Sequence, residues 1–191
     1  MAVKNILIVG VGGQGTLLAS KLMGKCFLQE GYDVKVSEVH GMSQRGGSVV
    51  TYVRYGEKVY SPVIEKGEAD IIISFEQLES ARWLPWLKKD GVLISSTQKI
   101  DPMPVIMGKA EYPENILGKI ADKGVKLVAV DALEKALEAG TAKCANIVLL
   151  GAAVPHLGID KEIWVDTIKS TVPPKTVETN LQAFELGYNA K

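Results

Sequence analysis

Two glycine-rich segments hold most of the polar groups that could bind a ligand. The first, Gly10-Val-Gly-Gly-Gln-Gly15, contains the pattern G-x-G-x-x-G. Glycines permit a tight turn and close approach of a ligand, and the free N–H groups at a helix start attract phosphate or another anion. We predict an anion or nucleotide pocket here; alternatively, the glycines only let a strand and a helix pack closely. The candidate residues are Gly10, Gly12, Gly13, Gln14 and Gly15.

The second segment is His40-Gly-Met-Ser-Gln-Arg-Gly-Gly47. Hydroxyl, amide and guanidinium donors follow one another here, and the flanking glycines let the backbone come close to a ligand or to a neighbouring subunit. A simple solvated loop has little need for this composition. The segment therefore predicts a binding or interface role for Ser43, Gln44, Arg45, Gly46 and Gly47.

Glu38 lies just before this second segment. A carboxylate at the end of the second strand is what a nicotinamide dinucleotide site uses to hold ribose hydroxyls. Glu38 shares its strand face with Val34 and Val36, so it is expected beside the glycine-rich turn. The alternative is that Glu38 pairs with Arg45, or with another nearby cation, and anchors the loop.

The elements that must position these residues can be read from apolar periodicity. Residues 6–9 form a continuous apolar run that predicts a buried strand. A helix is expected next, because apolar residues recur from Ala19 to Phe27 at the spacing of one helical face, and Gly31 follows as a cap. Residues 33–39 predict a second strand, which completes a βαβ unit with parallel strands.

The middle of the chain departs from this plain pattern. Residues 48–55 alternate between apolar and polar, and Gly56-Glu57 suits a two-residue turn into a returning strand at residues 58–60. The sequence therefore predicts an antiparallel hairpin insertion.

A buried strand is expected at residues 69–75, then a helix over 76–88 that is bent or interrupted near Pro85. Residues 91–95 predict the next strand. Residues 98–113 contain three prolines and predict a loop-rich connection.

The last third predicts one more strand followed by helices. The strand is expected at residues 125–130, and Asp131 with Glu134 forms a capping box that opens a short helix. Three helical stretches follow, at residues 143–153, 160–170 and 174–189. Together these elements predict one α/β domain over residues 1–191. The expected fold is Rossmann-like and three-layered, with a mostly parallel sheet, an antiparallel hairpin insertion and a helical C-terminal part.

Composition narrows the classes of function. The 191 residues include 22 Lys+Arg and 22 Asp+Glu, a balance that argues against non-specific nucleic-acid binding. The apolar runs are too short to span a membrane, and we expect a cytoplasmic protein. The two cysteines, Cys26 and Cys144, are isolated and are expected to be buried thiols, with no metal site. No nucleophile elbow, Walker lysine motif or H-E-x-x-H pattern is present, so the chain is not expected to run a full reaction alone.

Three segments together resemble the gamma-type subunit of the 2-oxoacid:ferredoxin oxidoreductases. They are the glycine motif at residues 10–15, the run Ser37-Glu-Val-His-Gly-Met-Ser-Gln-Arg-Gly-Gly-Ser48, and Asn146-Ile-Val-Leu-Leu-Gly-Ala152. The run Tyr55-Gly-Glu-Lys-Val-Tyr-Ser-Pro62 adds a similarity to the indolepyruvate branch of that family.

The resemblance implies oxidative decarboxylation of an aryl 2-oxoacid to an acyl-CoA with reduction of ferredoxin. Thiamine diphosphate and 4Fe-4S clusters would lie on a larger partner subunit, with CoA as cosubstrate and no cofactor held firmly by this chain. The glycine turn, Glu38 and the 43–47 segment would form an edge facing that subunit's active site. Arg45 would contact a CoA phosphate, a substrate carboxylate or a carboxylate of the partner.

Two other hypotheses of function stay open at this point. The chain could instead be a self-sufficient NAD-dependent dehydrogenase or a non-catalytic nucleotide-binding module. An exposed apolar patch is expected near the 43–47 segment, where a partner would dock, and through it the isolated subunit could form a homodimer.

Overall fold

The computed structural model describes residues 2–41 and 46–190. In this part of the chain six strands form one sheet in the order β2-β3-β1-β4-β5-β6. Strand β3 runs antiparallel to both of its neighbours, whereas β1, β4, β5 and β6 are mutually parallel. The strands are β1 (Lys4–Val11), β2 (Asp33–His40), β3 (Ser48–Gly56), β4 (Ala69–Ser74), β5 (Leu87–Ser96) and β6 (Lys126–Val130).

Eight α-helices connect and cover these strands in the described residues. None of the described helices combines the length and apolar character needed to cross a bilayer. The helices are α1 (Thr16–Gln29), α2 (Gln77–Trp83), α3 (Met103–Ile106), α4 (Ile116–Ala121), α5 (Ala132–Glu138), α6 (Ala145–Ala153), α7 (Lys161–Lys169) and α8 (Val177–Tyr188).

Helices cover both faces of the sheet, which confirms the three-layer α/β fold. On one face Phe27 of α1 stacks on Tyr55 of β3, with ring centroids 3.8 Å apart, and meets Trp164 of α7 edge-on at 5.7 Å. All three rings are buried, and α5, α6 and α8 complete this side. On the other face Ile116 and Ile120 of α4 pack on the sheet together with residues of α2. The sheet therefore lies between two layers of helices.

The predicted βαβ unit is present, but its two strands are not adjacent. β1 and β2 are both antiparallel to β3, so they are parallel to each other with β3 inserted between them. The antiparallel pairs among the described strands are therefore β2–β3 and β1–β3, and neither is the hairpin that the sequence predicted between residues 48–55 and 58–60.

The predicted turn at Gly56-Glu57 and the returning strand at residues 58–60 are wrong. β3 is already paired on both of its sides, so it has no free edge for a third partner. Side chains hold the next residues instead. Asp33 accepts from the Val59 amide at 2.9 Å, and Arg54 donates to the carbonyls of Ser61 and Val63 at 2.9 Å.

Pro85 shapes the region predicted as one long helix. α2 ends at Trp83, and a 3₁₀ turn containing Pro85 leads directly into β5 at Leu87. The interruption was predicted, but Lys88 lies in a strand rather than in a helix. The reason is that β5 begins at Leu87, whereas the sequence predicted that this strand would begin four residues later, at Gly91.

The remaining elements follow the sequence closely. The predicted loop-rich connection at residues 98–113 contains only the one-turn helix α3. Helix α4 follows this connection, at a place where the sequence predicts no element. Asp131 caps α5 by accepting from the Glu134 amide at 2.9 Å, as predicted. Helices α6, α7 and α8 fall within the three predicted stretches.

Helices α6 and α8 cross so closely that glycine is required. A Cβ added at Gly151 would lie 2.3 Å from the Phe184 carbonyl oxygen and 2.9 Å from the Tyr188 nitrogen, both backbone atoms. We expect Gly151→Ala to lower the free energy of unfolding by roughly 1–3 kcal/mol, the usual cost of overpacking. Urea unfolding followed by circular dichroism measures this change.

Gly24→Ala is the matched control. Gly24 also lies inside a helix, but an added Cβ would meet only Val36 Cγ2, at an ordinary 3.8 Å. Because alanine is the better helix former, this change should raise the free energy of unfolding by up to about 1 kcal/mol. Equal effects of the two substitutions would contradict the packing that we describe for α6 and α8.

Candidate functional site at the carboxyl edge of the sheet

The candidate site lies at the edge where the parallel strands end. The glycine-rich turn joins β1 to α1, and the segments that follow β4 and β5 leave the sheet at the same edge. Ligands of open α/β sheets bind at this carboxyl edge, because the connecting loops there are free to vary. The predicted glycine motif is therefore where a ligand site would be expected.

Gln14 braces the glycine turn from within. Its Oε1 atom accepts from the Val11 amide at 2.8 Å, and its Nε2 atom donates to the Phe75 carbonyl at 2.9 Å and to Gln98 Oε1 at 3.1 Å. Gly10 makes room for this side chain, since a Cβ there would lie 2.9 Å from Gln14 Oε1. Gln14 thus ties the turn to the ends of β4 and β5.

The last glycine of the motif allows α1 to approach α6. A Cβ at Gly15 would lie 2.8 Å from Asn146 Nδ2, and this same nitrogen donates to the Gly15 carbonyl at 3.2 Å. Packing therefore requires glycine at positions 10 and 15, and Gly15 also has a φ of +84°, in the left-handed region that favours glycine. Gly13 has a φ of +101° as well, but an added Cβ there would point into open space, so no packing contact requires this glycine.

Two cavities flank the turn. One, of about 470 Å³, lies on the side of β4 and β5, and its lining includes Gly13, Phe75, Gln98, Leu133 and Lys143. The other, of about 420 Å³, lies on the side of β2. Both reach Gly13 and Gly15, so a long ligand laid across the turn would contact both.

Glu38 lines the second cavity together with Gly12, Gly13 and His40. Its side chain is exposed, and Thr51 Oγ1 donates to Glu38 Oε2 at 3.2 Å. The sequence placed Glu38 beside the glycine turn on the face of Val34 and Val36, and it lies there. Its carboxylate faces solvent and is open to a ligand.

The 43–47 segment is only partly described. Ser43, Gln44 and Arg45 lie outside the described residues, so the predicted pairing of Glu38 with Arg45 stays a prediction. Gly46 has a φ of +74°, in the left-handed region that favours glycine. The Gly47 carbonyl accepts from the Gly12 amide at 2.9 Å. The two glycine-rich segments singled out in the sequence are therefore in direct contact.

Two buried carboxylates at this edge escaped the sequence analysis. Glu76 and Glu79, at the start of α2, are 1% and 3% exposed. Glu76 Oε2 accepts from the Glu79 amide at 3.0 Å and so caps the helix, while Oε1 accepts from Tyr112 Oη and from the Ile100 amide. The one available signal was the presence of acidic residues directly after a buried strand.

Glu79 connects α2 to the second glycine-rich segment. Its Oε2 accepts from Ser48 Oγ at 2.5 Å, and its Oε1 accepts from the Arg82 guanidinium one turn along the helix. Burial raises the pKa of the Glu79 carboxyl, although Ser48 and Arg82 act in the opposite direction. Each oxygen of this buried carboxyl group therefore accepts a hydrogen bond.

The two cysteines are buried, as the sequence predicted. Desolvation raises the pKa of the Cys26 thiol to about 12 and shifts that of Cys144 in the same direction. Thiols that resist ionisation are poor nucleophiles and poor metal ligands. Among the described residues no group of three or more His, Cys, Asp or Glu side chains could hold a metal ion.

The sheet, its helical layers and the glycine-lined edge define a three-layer α/β protein of Rossmann-like architecture. Residues 5–190 match the family model described as pyruvate ferredoxin/flavodoxin oxidoreductase, and the chain belongs to this family.

Relatives within the family share nearly the whole length of the chain. Indolepyruvate oxidoreductase subunit IorB from Thermococcus kodakarensis is 46% identical over 97% of this chain and 95% of its own. The corresponding Archaeoglobus fulgidus protein is 38% identical over 97% of this chain and 94% of its own. The similarity thus extends over almost the whole chain and is not confined to the glycine motif.

Solved structures show the same architecture. A keto/oxoacid ferredoxin oxidoreductase gamma subunit from Geobacter sulfurreducens superposes with a TM-score of 0.73 at 26% identity, covering 98% of this chain and 97% of that one. The 2-oxoglutarate:ferredoxin oxidoreductase of Magnetococcus marinus, solved with 2-oxoglutarate, coenzyme A and succinyl-CoA, gives a TM-score of 0.75 at 19% identity. This chain is covered to 98%, but only 31% of that chain is matched, so the fold also occurs as one part of a longer polypeptide.

Gln14→Leu tests the brace inside the turn. The substitution keeps the volume of the side chain but leaves the Val11 amide and the Phe75 carbonyl without their partner. We expect the free energy of unfolding to fall by roughly 1–3 kcal/mol, the cost of unsatisfied buried polar groups. Gln182→Leu, at an exposed position in α8, is the control and should stay within about 0.5 kcal/mol of wild type in the same urea titration.

Glu79 should give the fold a distinctive dependence on pH. Because its pKa is raised above the ordinary 4.5, the folded chain binds the proton more tightly than the unfolded chain does. The unfolding free energy of wild type minus that of Glu79→Gln should therefore be greatest below pH 4.5 and fall as the pH rises through the folded pKa. Glu162→Gln removes an exposed carboxylate and controls for net charge. A difference that grows with pH would contradict the desolvation of Glu79.

Proposed function

We propose that this chain is the subunit of an indolepyruvate-type 2-oxoacid:ferredoxin oxidoreductase that carries no redox cofactor of its own. The observation that supports this most directly is its 46% identity to an IorB subunit over 97% of the chain. In this proposal the whole complex decarboxylates an aryl 2-oxoacid oxidatively, forms the acyl-CoA and passes electrons to ferredoxin. The isolated chain is inactive.

The larger partner subunit brings the cofactors in this proposal. A 4Fe-4S cluster needs four thiolates, whereas this sequence has two cysteines, and both are buried with raised pKa values. The side chains of this subunit therefore do not fit a cluster. Thiamine diphosphate, assigned here to the partner as well, supplies the carbanion chemistry when bound. In this proposal, the contribution of this chain is to shape and close a binding surface.

That surface is the carboxyl edge of the sheet. We propose that the glycine turn at residues 10–15, Glu38 and the 43–47 segment face the active site of the large subunit. The hydrogen bond from the Gly12 amide to the Gly47 carbonyl supports this grouping, because it brings two segments that are distant in sequence together at one rim. Arg45 is proposed to contact an anionic group there: a CoA phosphate, a substrate carboxylate or a carboxylate of the partner.

Exposed apolar side chains at the same edge support docking of a partner. Leu17, at the start of α1, is 63% exposed, and Val39, near the end of β2, is 53% exposed. Both lie close in sequence to the glycine-rich segments. In the absence of the large subunit, a second copy of the chain is the alternative occupant of this patch.

Binding of a dinucleotide by the chain itself is a second candidate function. It is favoured by one observation: the Glu38 carboxylate lines the cavity beside Gly12 and Gly13, where a ribose would lie in a dinucleotide site. Titration calorimetry of the purified chain with NAD, repeated with Glu38→Gln, separates the two candidates. NAD binding that is lost with Glu38→Gln would favour a dinucleotide enzyme, and an absence of heat would remove that candidate.

The proposed role of Arg45 predicts a loss of activity in the assembled enzyme. We expect Arg45→Ala to reduce turnover or subunit affinity by about 10-fold or more, since a charge-assisted hydrogen bond to an anion contributes roughly 1.5–3 kcal/mol. Arg45→Lys keeps the charge but loses the bidentate geometry and should fall in between. The large and small subunits, reconstituted from separate preparations, are assayed for ferredoxin reduction with indolepyruvate and CoA.

Lys175→Ala is the control, because it removes one positive charge from an exposed turn before α8. It should leave the kinetics and the affinity of the subunits unchanged. If Arg45→Ala behaves like Lys175→Ala in both measurements, the role assigned to Arg45 is refuted.

A further inference from the structure

We call the proposed surface, which consists of the glycine turn at residues 10–15, Glu38 and the 43–47 segment, the docking rim. The hydrogen bond between Ser48 and Glu79 lies next to this docking rim. Ser48 is the first residue of β3 and directly follows the 43–47 segment, and its hydroxyl donates to the Glu79 carboxylate at 2.5 Å. Glu79 is 3% exposed, so this contact is formed away from water. A charge-assisted hydrogen bond in a dry environment is stronger than a neutral one at the surface.

A second contact fixes the same stretch of backbone from the other side. The Gly47 carbonyl accepts from the Gly12 amide at 2.9 Å, and Ser48 is paired with Val11 in the β1–β3 ladder. The end of the 43–47 segment is therefore clamped between the glycine turn and helix α2. The clamp consists of residues Gly12, Gly47, Ser48 and Glu79.

The helix that carries Glu79 is itself firmly anchored. Glu76 caps its first turn and also accepts from the Ile100 amide at 3.2 Å. Ser80 Oγ lies 2.7 Å from Ser95 Oγ of β5, and both serines are fully buried. Glu79 is thus a rigid point of attachment, and the position of Ser48 is determined by the core of the sheet.

A buried carboxylate is a costly way to stabilise a fold, since removing its charge from water carries a penalty that hydrogen bonds only partly offset. An apolar side chain at position 79 would fill the same space without that penalty. The acid at position 79 makes physical sense if the location of Ser48 matters more than the stability gained.

We propose that Glu79 is a positioning residue: through Ser48 it holds Gly47 against the glycine turn, in the geometry that the large subunit meets. This role rests on the proposed function. It places Glu79 behind the docking rim, where it touches neither partner nor ligand.

Three variants test the clamp. Ser48→Ala removes the hydroxyl donor, and Ser48→Thr restores it. Ser37→Ala is the matched control, because Ser37 is a half-buried strand serine whose side chain has no hydrogen bond among the described residues. Each variant is measured as the isolated chain and in the complex reconstituted with the large subunit.

In the isolated chain, the Gly12 amide reports directly on the clamp, since its hydrogen is donated to Gly47. We expect its hydrogen exchange, followed by NMR, to be about 5–10-fold faster in Ser48→Ala, the factor that corresponds to loss of one hydrogen bond. Ser48→Thr should return to within about twofold of wild type and Ser37→Ala should match wild type. Equal exchange in Ser48→Ala and Ser37→Ala would overturn the clamp, as would a uniform acceleration across all strands.

In the complex, Ser48→Ala should weaken the affinity of the subunits by about 5–10-fold. Once the subunits are saturated, kcat should stay within about twofold of wild type, because in this proposal Ser48 and Glu79 position the rim and do not touch the reacting groups. An unchanged affinity with an accelerated Gly12 exchange would remove the positioning role from Glu79 and leave it a purely structural residue. If wild type itself does not bind the large subunit, the proposed function fails, whereas the Gly12 measurement still decides whether the clamp exists.

Discussion

The insertion of β3 between β1 and β2 is the constraint on which the rest of the candidate site at the carboxyl edge depends. Because β3 runs against both neighbours, the connection from β2 to β3 must turn at the edge where β1 ends. Gly47, at the end of the second glycine-rich segment, is thereby brought against Gly12 of the first, and the Gly12 amide donates to the Gly47 carbonyl. If β2 were paired directly with β1 in parallel, the two glycine-rich segments would lie side by side, without the β1–β3 ladder that now aligns them.

Polar side chains, rather than apolar ones, hold the loops of this edge in place. Gln14 joins the glycine turn to the ends of β4 and β5, and Glu76 joins α2 to the long connection after β5. Such braces satisfy backbone groups that the ends of strands leave without a ladder partner. Loops fixed in this way lose little conformational entropy when a ligand binds to them.

Much of this could be predicted from the sequence, because the fold is encoded in local patterns. The buried strand at residues 6–9, the α1 face from Ala19 to Phe27 and the cap at Asp131 each depend on residues close in the chain. The failures come from long-range competition. Residues 58–60 have the alternating pattern of a strand, but β3 is already paired on both sides. The sequence around Glu79 is typical of an exposed helix residue, and only the folded chain brings Ser48, 31 positions earlier, against it. The roles of Ser43, Gln44 and Arg45 stay predictions.

The position of β2 at the end of the sheet has a further consequence for assembly. On one side this strand has no neighbouring strand within residues 2–41 and 46–190, and an edge of this kind can template the addition of a foreign strand. Ionisable side chains occupy half of its eight positions: Asp33, Lys35, Glu38 and His40. Charges of this kind discourage sheets from joining at their rims. Growth of the sheet into fibres through this edge is thereby disfavoured.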